Sequence, residues 1–489
     1  MMHCSERNTD RTSAPTTIHN TVSGLPSRRD LLQNAAGGLG AIALKGMLAE
    51  DAGAAAPAAA GNPLSPQRAP RVPAAKRVIF LYMTGGVSHV DSWDPKPKLF
   101  AGHGKSISVD NWQGKLGEFK RYLKRPDWKF RAGGASGIEV SDLFPHMRTV
   151  VDDLCVIRSL ASDHTNHYES TLGMHCGSWT FARPSIGAWV SYGLGTLNRN
   201  LPSFMVIAPH APYAGAQTWG SDFLPGCHQG TQIIPGDNPI PNVRRRVATS
   251  RLQELELQLL EQANRRHARQ RPADRALEAR IRAFETAFGM QREAPDAFDL
   301  SGETAATLKL YGLQPGQTKG FGWQCLVARR LAERGVRFIE LIDVGSSANW
   351  DAHGNMATHG PLARNVDQPI AGLIRDLKQR GLLDDTLVVW TTEFGRTPYH
   401  EKADHPGREH HHQVFSSWLA GAGIKRGITY GSSDEHGIGV AERQVHVHDF
   451  HATILNQLGL DHEQLTFRHA GRDYRLTDVH GEVVQDIIA

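Results

Sequence analysis

Asp351 and His353 stand two residues apart, so in an extended segment their side chains point the same way. A carboxylate and an imidazole so placed suit a shared metal ion, and His359 follows closely enough to join if the loop curls back. Glu393 ends an apolar run just before Phe394-Gly395-Arg396, where a tight turn fits, and reads as a ligand or as the partner of Arg396. The densest cluster is Asp404-His405-Pro406-Gly407-Arg408-Glu409-His410-His411-His412. Extended backbone there aims His410 and His412 to one side and His411 to the other, so one or two of them can serve the same ion or oxyanion. His89 and Asp91 are again two apart, and His164 and His167 form an i, i+3 pair that would share a face of a first helical turn. His446, His448 and His451, beside Asp449, fit a polar strand-to-helix junction as well as a site. Five scattered cysteines without a C-x-x-C pair exclude a thiolate zinc cluster and leave room for at most one or two disulfides. The oxygen and nitrogen donors suit a divalent metal ion such as Zn²⁺, Mn²⁺, Mg²⁺ or Ca²⁺, and residue types alone do not choose among them.

These residues follow apolar runs that must position them. Val78–Met83 leads to Thr84-Gly85-Gly86-Val87-Ser88-His89, Arg337–Val344 leads to Asp351 and His353, and Thr386–Thr391 leads to Glu393. Short continuous β-favouring runs of this kind are expected of strands buried on both faces of a parallel sheet. Ligands of open α/β sheets lie beyond the carboxyl ends of such strands, where the three loops would converge. Asp152–Leu160 reads as a further strand feeding the His164–His167 loop, with a helix over Tyr168–Cys176 and short strands at Phe204–Ile207 and Gln444–Val447. Phe415–Ala420 reads as a strand or buried segment. Helical patterns at Gly322–Gly335, Leu362–Arg380 and His451–Leu458 complete a βαβ rhythm. Pro212–Asn242, rich in Gly, Pro and aromatics, is expected to run over the surface. Within 244–300, leucines at 252, 255, 259 and 260 and apolar residues at 276, 277, 281 and 284 recur at helical spacing. Pro272 divides that insertion into two helices, and interleaved Glu and Arg mark a solvated face rather than an anion site.

The 489 residues suffice for one large α/β body, expected over 76–489. With 54 basic and 50 acidic residues, the formal charge of +4 gives no reason to expect a nucleic-acid partner. Residues 1–75 are expected to be a leader and an Ala/Pro-rich disordered linker. Ser27-Arg28-Arg29-Asp30-Leu31-Leu32 resembles a twin-arginine export signal, followed by a weakly apolar stretch too short and too polar to span a bilayer. Small residues from Ala52 to Ala60 suit cleavage. With no later transmembrane pattern, a protein of the periplasm or cell envelope is expected; the sequence leaves the oligomeric state open.

Several ordered motifs resemble one bacterial family of exported proteins, catalogued as domain of unknown function 1501. They are Gly85-Gly86-Val87-Ser88-His89, Arg183–Gly195, Trp350-Asp351-Ala352-His353-Gly354, Thr392–Pro398, Gly407–His411 and the stretch from His446 to Asp478. More distantly, the order of elements is similar to the alkaline phosphatase and sulfatase superfamily. That resemblance implies an alkaline-phosphatase/sulfatase-like fold, a central mostly parallel sheet flanked by helices with a helical insertion, and metal ions at the carboxyl ends of the strands. Carried over, Asp351 and His353 match the acid-and-histidine metal segment, Glu393 the later carboxylate, and His410 or His411 the late histidine. The first strand ends in Met83-Thr84-Gly85-Gly86 rather than in a metal-binding aspartate, for which His89 or Asp91 would substitute. The position of the superfamily nucleophile falls on His167, leaving Thr165 and Ser170 as neighbouring hydroxyls. The resemblance implies hydrolysis of a sulfate or phosphate ester, on a small molecule or a polysaccharide. His164 or His167 would act as general acid and Arg396 or Arg408 would clamp the anion. The alternative from another class is a non-catalytic metal- or glycan-binding envelope protein that has lost the nucleophile.

Overall fold

The run Arg77–Tyr82 (β1) is buried at every position in the computed structural model, which describes residues 63–112, 115–241, 243, 249–271 and 274–489. The twin-arginine motif and its cleavage region, together with Pro272, lie outside the described residues. Eight further strands join β1 in one sheet. In chain order they are β2 (Leu154–Ala161), β3 (Phe204–Ile207), β4 (Thr231–Ile233), β5 (Phe338–Ile342), β6 (Thr386–Thr391), β7 (Phe415–Ala420), β8 (Ile428–Tyr430) and β9 (Val445–His446). The order across the sheet is β8-β2-β7-β6-β1-β5-β3-β4, and β9 extends beside the end of β2. Only β7 runs against the others, pairing antiparallel with both β6 and β2. The register sets Tyr82 beside Thr391 and Ile342, so β1, β5 and β6 end level with one another. The loops that follow all open at one rim, as expected.

Alternation along β1 divides the core. Ile79 and Leu81 face one layer of helices, while Val78, Phe80 and Tyr82 face the other. The first layer contains α3 (Phe321–Glu333) and α4 (His359–Gln379); the second contains α1 (His167–Cys176), α2 (Ile186–Leu194) and α5 (Val447–Gln457). The expected architecture, a mostly parallel sheet with helices on both faces, is the one found. The insertion forms two helices, Ser250–Arg269 and Arg275–Phe298, capped by the side chains of Thr249 and Asp274.

Two expectations need correction. Pro212–Asn242 is not only a surface excursion, because Thr231–Ile233 within it pairs parallel with β3 and becomes the edge strand. The packed body also reaches back before Lys76: Leu64 and Ala75 are buried, and the N–H groups of Gln67 and Arg71 donate to Leu194 and Gly459. Among the described residues the four cysteines are free thiols, and no helix is long and apolar enough to cross a membrane.

Candidate metal centre

The loop after β1 turns sharply through Gly85 and Gly86, whose φ angles are 115° and 84°. A Cβ on Gly85 would come within 2.7 Å of the backbone nitrogens of Trp350 and Asp351, and one on Gly86 within 2.8 Å of the Phe394 ring. Only glycine meets both demands, positive φ and close approach. The glycine pair therefore lets the loops after β5 and β6 both press against the loop after β1. Asp343, at the end of β5, fixes the first of these from below. Its carboxylate accepts from Thr84 N at 3.1 Å, Val344 N at 2.6 Å and Trp350 Nε1 at 2.5 Å.

Three imidazoles close on Asp351. His167, the first residue of α1, donates from Nδ1 to Glu393 Oε1 at 2.7 Å. Its Nε2 lies 3.3 Å from Asp351 Oδ2 but makes no hydrogen bond and has no other partner, although it is buried. His410 donates from Nδ1 to the carbonyl of Thr165 at 2.6 Å, which turns its Nε2 toward Asp351 Oδ1 at 3.3 Å. His353 lies with Nδ1 2.9 Å from Glu409 Oε2 and with Nε2 3.0 Å from Asp351 Oδ1. The Nε2 atoms of His353 and His410 are only 2.8 Å apart. Each ring thus has one nitrogen committed to an acceptor, and the other turned to a common point. Outer partners of this kind fix the tautomer of metal-binding histidines. One nitrogen each of His167 and His410 and one oxygen of Asp351 lie within 4.8 Å of one another.

Without an ion the charges settle on protons. His353 is raised to about 9, first by its bond to Asp351 and then by Glu409. Burial opposes charge on His167, yet the nearby carboxylates of Asp351 and Glu393 hold its pKa above the ordinary value. Burial lowers His410 to about 4. Burial would raise Asp351, but the three imidazoles and Arg396 keep it far below the usual carboxylate range. His353 protonated and His410 neutral is the assignment that makes their 2.8 Å contact a hydrogen bond. A divalent cation would replace that proton. The residues present fit such an ion, since they supply imidazole nitrogens and a carboxylate oxygen with committed outer partners, one of those nitrogens buried without a hydrogen bond.

Glu393 is placed otherwise than expected. It is fully buried and every lone pair is used: Oε1 accepts from Gly85 N and His167 Nδ1, Oε2 from Tyr82 Oη and Thr392 Oγ1. It orients His167 from behind and does not face the cluster. Glu393→Gln is expected to keep the fold, because the two hydroxyls can rotate to accept from the new amide while its oxygen still takes the His167 proton. It should weaken divalent-ion affinity by about 10- to 100-fold, the usual effect of losing such an outer carboxylate. Titration with a competing chelator checks this.

Other expected members are drawn away. His89 and Asp91 lie on a short helix, His89–Ser92, so residues two apart point in nearly opposite directions. His89 bonds the Gly437 carbonyl at 3.0 Å and stacks on His411, while Asp91 is paired with Arg408 at 2.7 Å. His411 faces the opposite side from His410, as the extended spacing requires, and so leaves the cluster. His359 accepts from Ser88 N at 3.2 Å and is lowered by burial to about 3. Neither arginine can clamp an external anion. Arg396, fully buried, donates to Gly85 O, to Gly86 O at 3.0 Å and to Asp351 at 2.6 Å. Arg408 donates to Asp91 and to the carbonyls of Lys124, Arg125 and Thr397. His164 is half-exposed and receives Asn166 N, outside the cluster. Thr165 contributes its carbonyl, and the Ser170 hydroxyl is occupied by the His164 carbonyl at 2.8 Å. Cys176 is buried, its thiol bonded to Gln217 O and held protonated by desolvation.

Tyr213 was hidden in a stretch with no period. Its ring stacks on His167 at 4.0 Å between centroids, and its oxygen accepts from Asn349 Nδ2 at 3.0 Å. Asn349 also receives Asp351 N on Oδ1 at 3.0 Å, tying Tyr213 to the loop that carries the carboxylate. Burial raises Tyr213 above the ordinary phenol value, so it stays protonated at neutral pH.

The family model described as "Protein of unknown function (DUF1501)" matches residues 75–488. No curated protein matches the chain. Among solved structures it is similar to Ps i-CgsB, at 10% identity and TM-score 0.36, over 81% of this chain and 73% of that one. It is similar to the PsFucS1 sulfatase from Pseudoalteromonas sp., at 12% and 0.34, over 80% and 68%. It is also similar to an alkaline phosphatase from the Antarctic bacterium TAB5, at 12% and 0.31, over 75% and 96%. Likeness at this level leaves any reaction to be read from the side chains.

Proposed function

The chain belongs to that family of proteins of unknown function, and from this premise we propose that it is an exported, metal-dependent hydrolase of sulfate or phosphate esters. One observation carries the reading: three imidazoles, each with one nitrogen committed to Glu393, Glu409 or the Thr165 carbonyl, turn the other onto Asp351. His167, Asp351 and His410 would hold the ion, with His353 as fourth donor. A divalent ion there supplies Lewis-acid polarisation of an ester oxygen and lowers the pKa of water. The chain's own groups do the positioning. Glu393 keeps the His167 proton on Nδ1, the Thr165 carbonyl does the same for His410, and Arg396 pins Asp351. Asn349 donates to the Tyr213 oxygen, so the phenol's own hydrogen can be given to a substrate oxyanion beside His167. The Ser170 hydroxyl is held by the His164 carbonyl, and water activated at the ion is the attacking group in this reading.

A second reading, a metal- or glycan-binding envelope protein without turnover, is favoured by one observation: Arg396 and Arg408 spend their donors internally. Elemental analysis of the protein as isolated from its export compartment tests the metal. Aryl sulfates, phosphomonoesters and phosphodiesters assayed with added divalent ions then separate the two readings. Hydrolysis of one ester class, abolished by a chelator, supports the hydrolase; stoichiometric metal with no turnover of any supports the binding protein.

Affinity for the ion should depend on pH in a defined direction. His353 carries a proton below about 9, and the ion must displace it. Affinity is therefore expected to rise about ten-fold per pH unit from 7 toward 9 and to level off above, with proton release on binding. Calorimetry in buffers of different ionisation enthalpy reads the released proton directly.

A further inference from the structure

Helix α1 carries His167 at its first position and is held by polar contacts along the rest of its length. His167, Thr171 and His175 follow at i, i+4 and i+8, so they share one face. That face meets the sheet at three points in the core. His167 bonds Glu393 after β6, Thr171 Oγ1 lies 3.0 Å from Tyr82 Oη of β1, and His175 Nε2 lies 2.8 Å from Glu340 Oε1 of β5. His175 and Glu340 are 0% and 1% exposed. His175 Nδ1 donates to the Thr171 carbonyl at 2.7 Å. One further proton lies between Nε2 and the carboxyl group, and the bond exists whichever of the two carries it. At the far end of α1 two imidazoles of α5 take over. His451 and His448 donate from Nε2 to the carbonyls of Met174 at 2.7 Å and Gly177 at 3.1 Å, groups that a helix end leaves without internal partners.

Stability does not account for these contacts. Glu340 sits on a central strand with Phe80 and Val206 as register partners, a place where a hydrocarbon side chain would bury no polar group. Exchanging a buried pair for hydrocarbon of like volume is often neutral or stabilising. What the pair adds is direction. Of the ten residues of α1 only Leu172 and Met174 are large and aliphatic, and apolar contact is non-directional. Rotating a helix by about 20° moves its side-chain tips by about 2 Å. His167 Nε2 lies 3.3 Å from Asp351 Oδ2, so a shift of that size would take it out of the cluster. We propose that Glu340, His175 and His451 are positioning residues of the metal centre. They fix the turn and height of α1, and through it aim His167 Nε2 at the point shared with Asp351 and His410. This inference rests on the metal reading and adds to it the part of the core that holds the ligand in place.

Glu340→Leu removes the contact to β5, and His451→Leu releases the Met174 carbonyl at the other end. Either should weaken zinc binding by about ten-fold, the low end of what loss of an outer partner costs, with the far-UV circular dichroism unchanged. Competition with a chelator reads the affinity. The conservative variants should bind as the wild type does. Glu340→Gln can donate its amide to Nε2 of a neutral His175, and His451→Gln keeps a donor for the Met174 carbonyl. Because the effect runs through His167, Glu340→Leu should cost nothing further in a His167→Ala background, whereas general loosening would cost the same factor in both. A second readout needs no ion. In protein carrying isotope-labelled histidine, the His167 Nδ1 proton bonded to Glu393 gives a resonance that His167→Ala identifies, and each leucine variant should shift or broaden it. The leucine variants act on separate contacts, so one of them suffices if the other does not fold. Undiminished affinity in the leucine variants, an equal loss in the His167→Ala background, or an unmoved His167 resonance overturns the proposal. A wild-type protein that binds no divalent ion overturns the metal reading instead, and the resonance still decides whether Glu340 and His451 set His167.

Discussion

Asp351→Ala is expected to reduce bound divalent metal from stoichiometric to trace while leaving the secondary structure unchanged. The reason lies in the balance of charge at the rim. Among the described residues Asp351 is the only carboxylate that faces His167, His353 and His410 together, and it also receives Arg396. Without it, three imidazoles and a guanidinium surround the point where the ion would sit, and a further cation there meets repulsion with no anion to offset it. The fold should survive because Asp351 is at the edge, a quarter exposed, and Arg396 retains the carbonyls of Gly85 and Gly86. Asp351→Asn guards against a packing effect, since it keeps the shape and removes the charge. Elemental analysis beside circular dichroism reads both variants. Undiminished metal in either would remove Asp351 from the site and the proposed chemistry with it.

The strands that build the rim were legible because continuous apolar runs have few alternatives in a chain of this length. Thr386–Thr391, Phe204–Ile207 and Phe415–Ala420 form strands over the same residues their composition marks. The opposite facing of His410 and His411 was legible for the same reason, since period two is fixed by extended backbone. Asp351 and His353 do meet, at 3.0 Å. What sequence spacing did not carry was the direction of side chains once the backbone left the strand. Glu393 reads alike whether it enters the cavity or turns beneath it. The Gly85 N–H and the Tyr82 hydroxyl, more than 300 positions away in the chain, decide that it turns beneath. For His89 and Asp91 the error lay in the backbone: one helical turn where an extended segment was expected rotates the two apart. Tyr213 carried no signal, because a stacked aromatic in an aperiodic loop has no motif.

Asp91→Ala is expected to be the most destabilising single change near the site, although it touches no ligand. Asp91 and Arg408 are both fully buried and paired at 2.7 Å. Asp91 also accepts from Ser88 Oγ at 2.6 Å and from Asp127 N at 3.0 Å, so it ties three segments together. Removing the carboxylate strands a buried guanidinium, which typically costs about 3–5 kcal/mol. Removing both partners strands no charge. Asp91→Ala combined with Arg408→Ala should therefore cost less than the sum of the two single changes, the excess being the coupling of the pair. Denaturant unfolding of the four proteins at neutral pH closes that cycle. The pH dependence follows from the direction of the shift. Burial would raise the Asp91 carboxyl, but Arg408 and the Ser88 hydroxyl hold it below its ordinary value of 3.8. Its contribution is then complete above that value and lost only as the pH falls through the lower folded value. The stability deficit of Asp91→Ala should accordingly stay constant from neutral pH down to about 4 and shrink only in stronger acid. A deficit already fading near pH 6 would mean that the pair is open to water and that the rim is not braced from beneath as described.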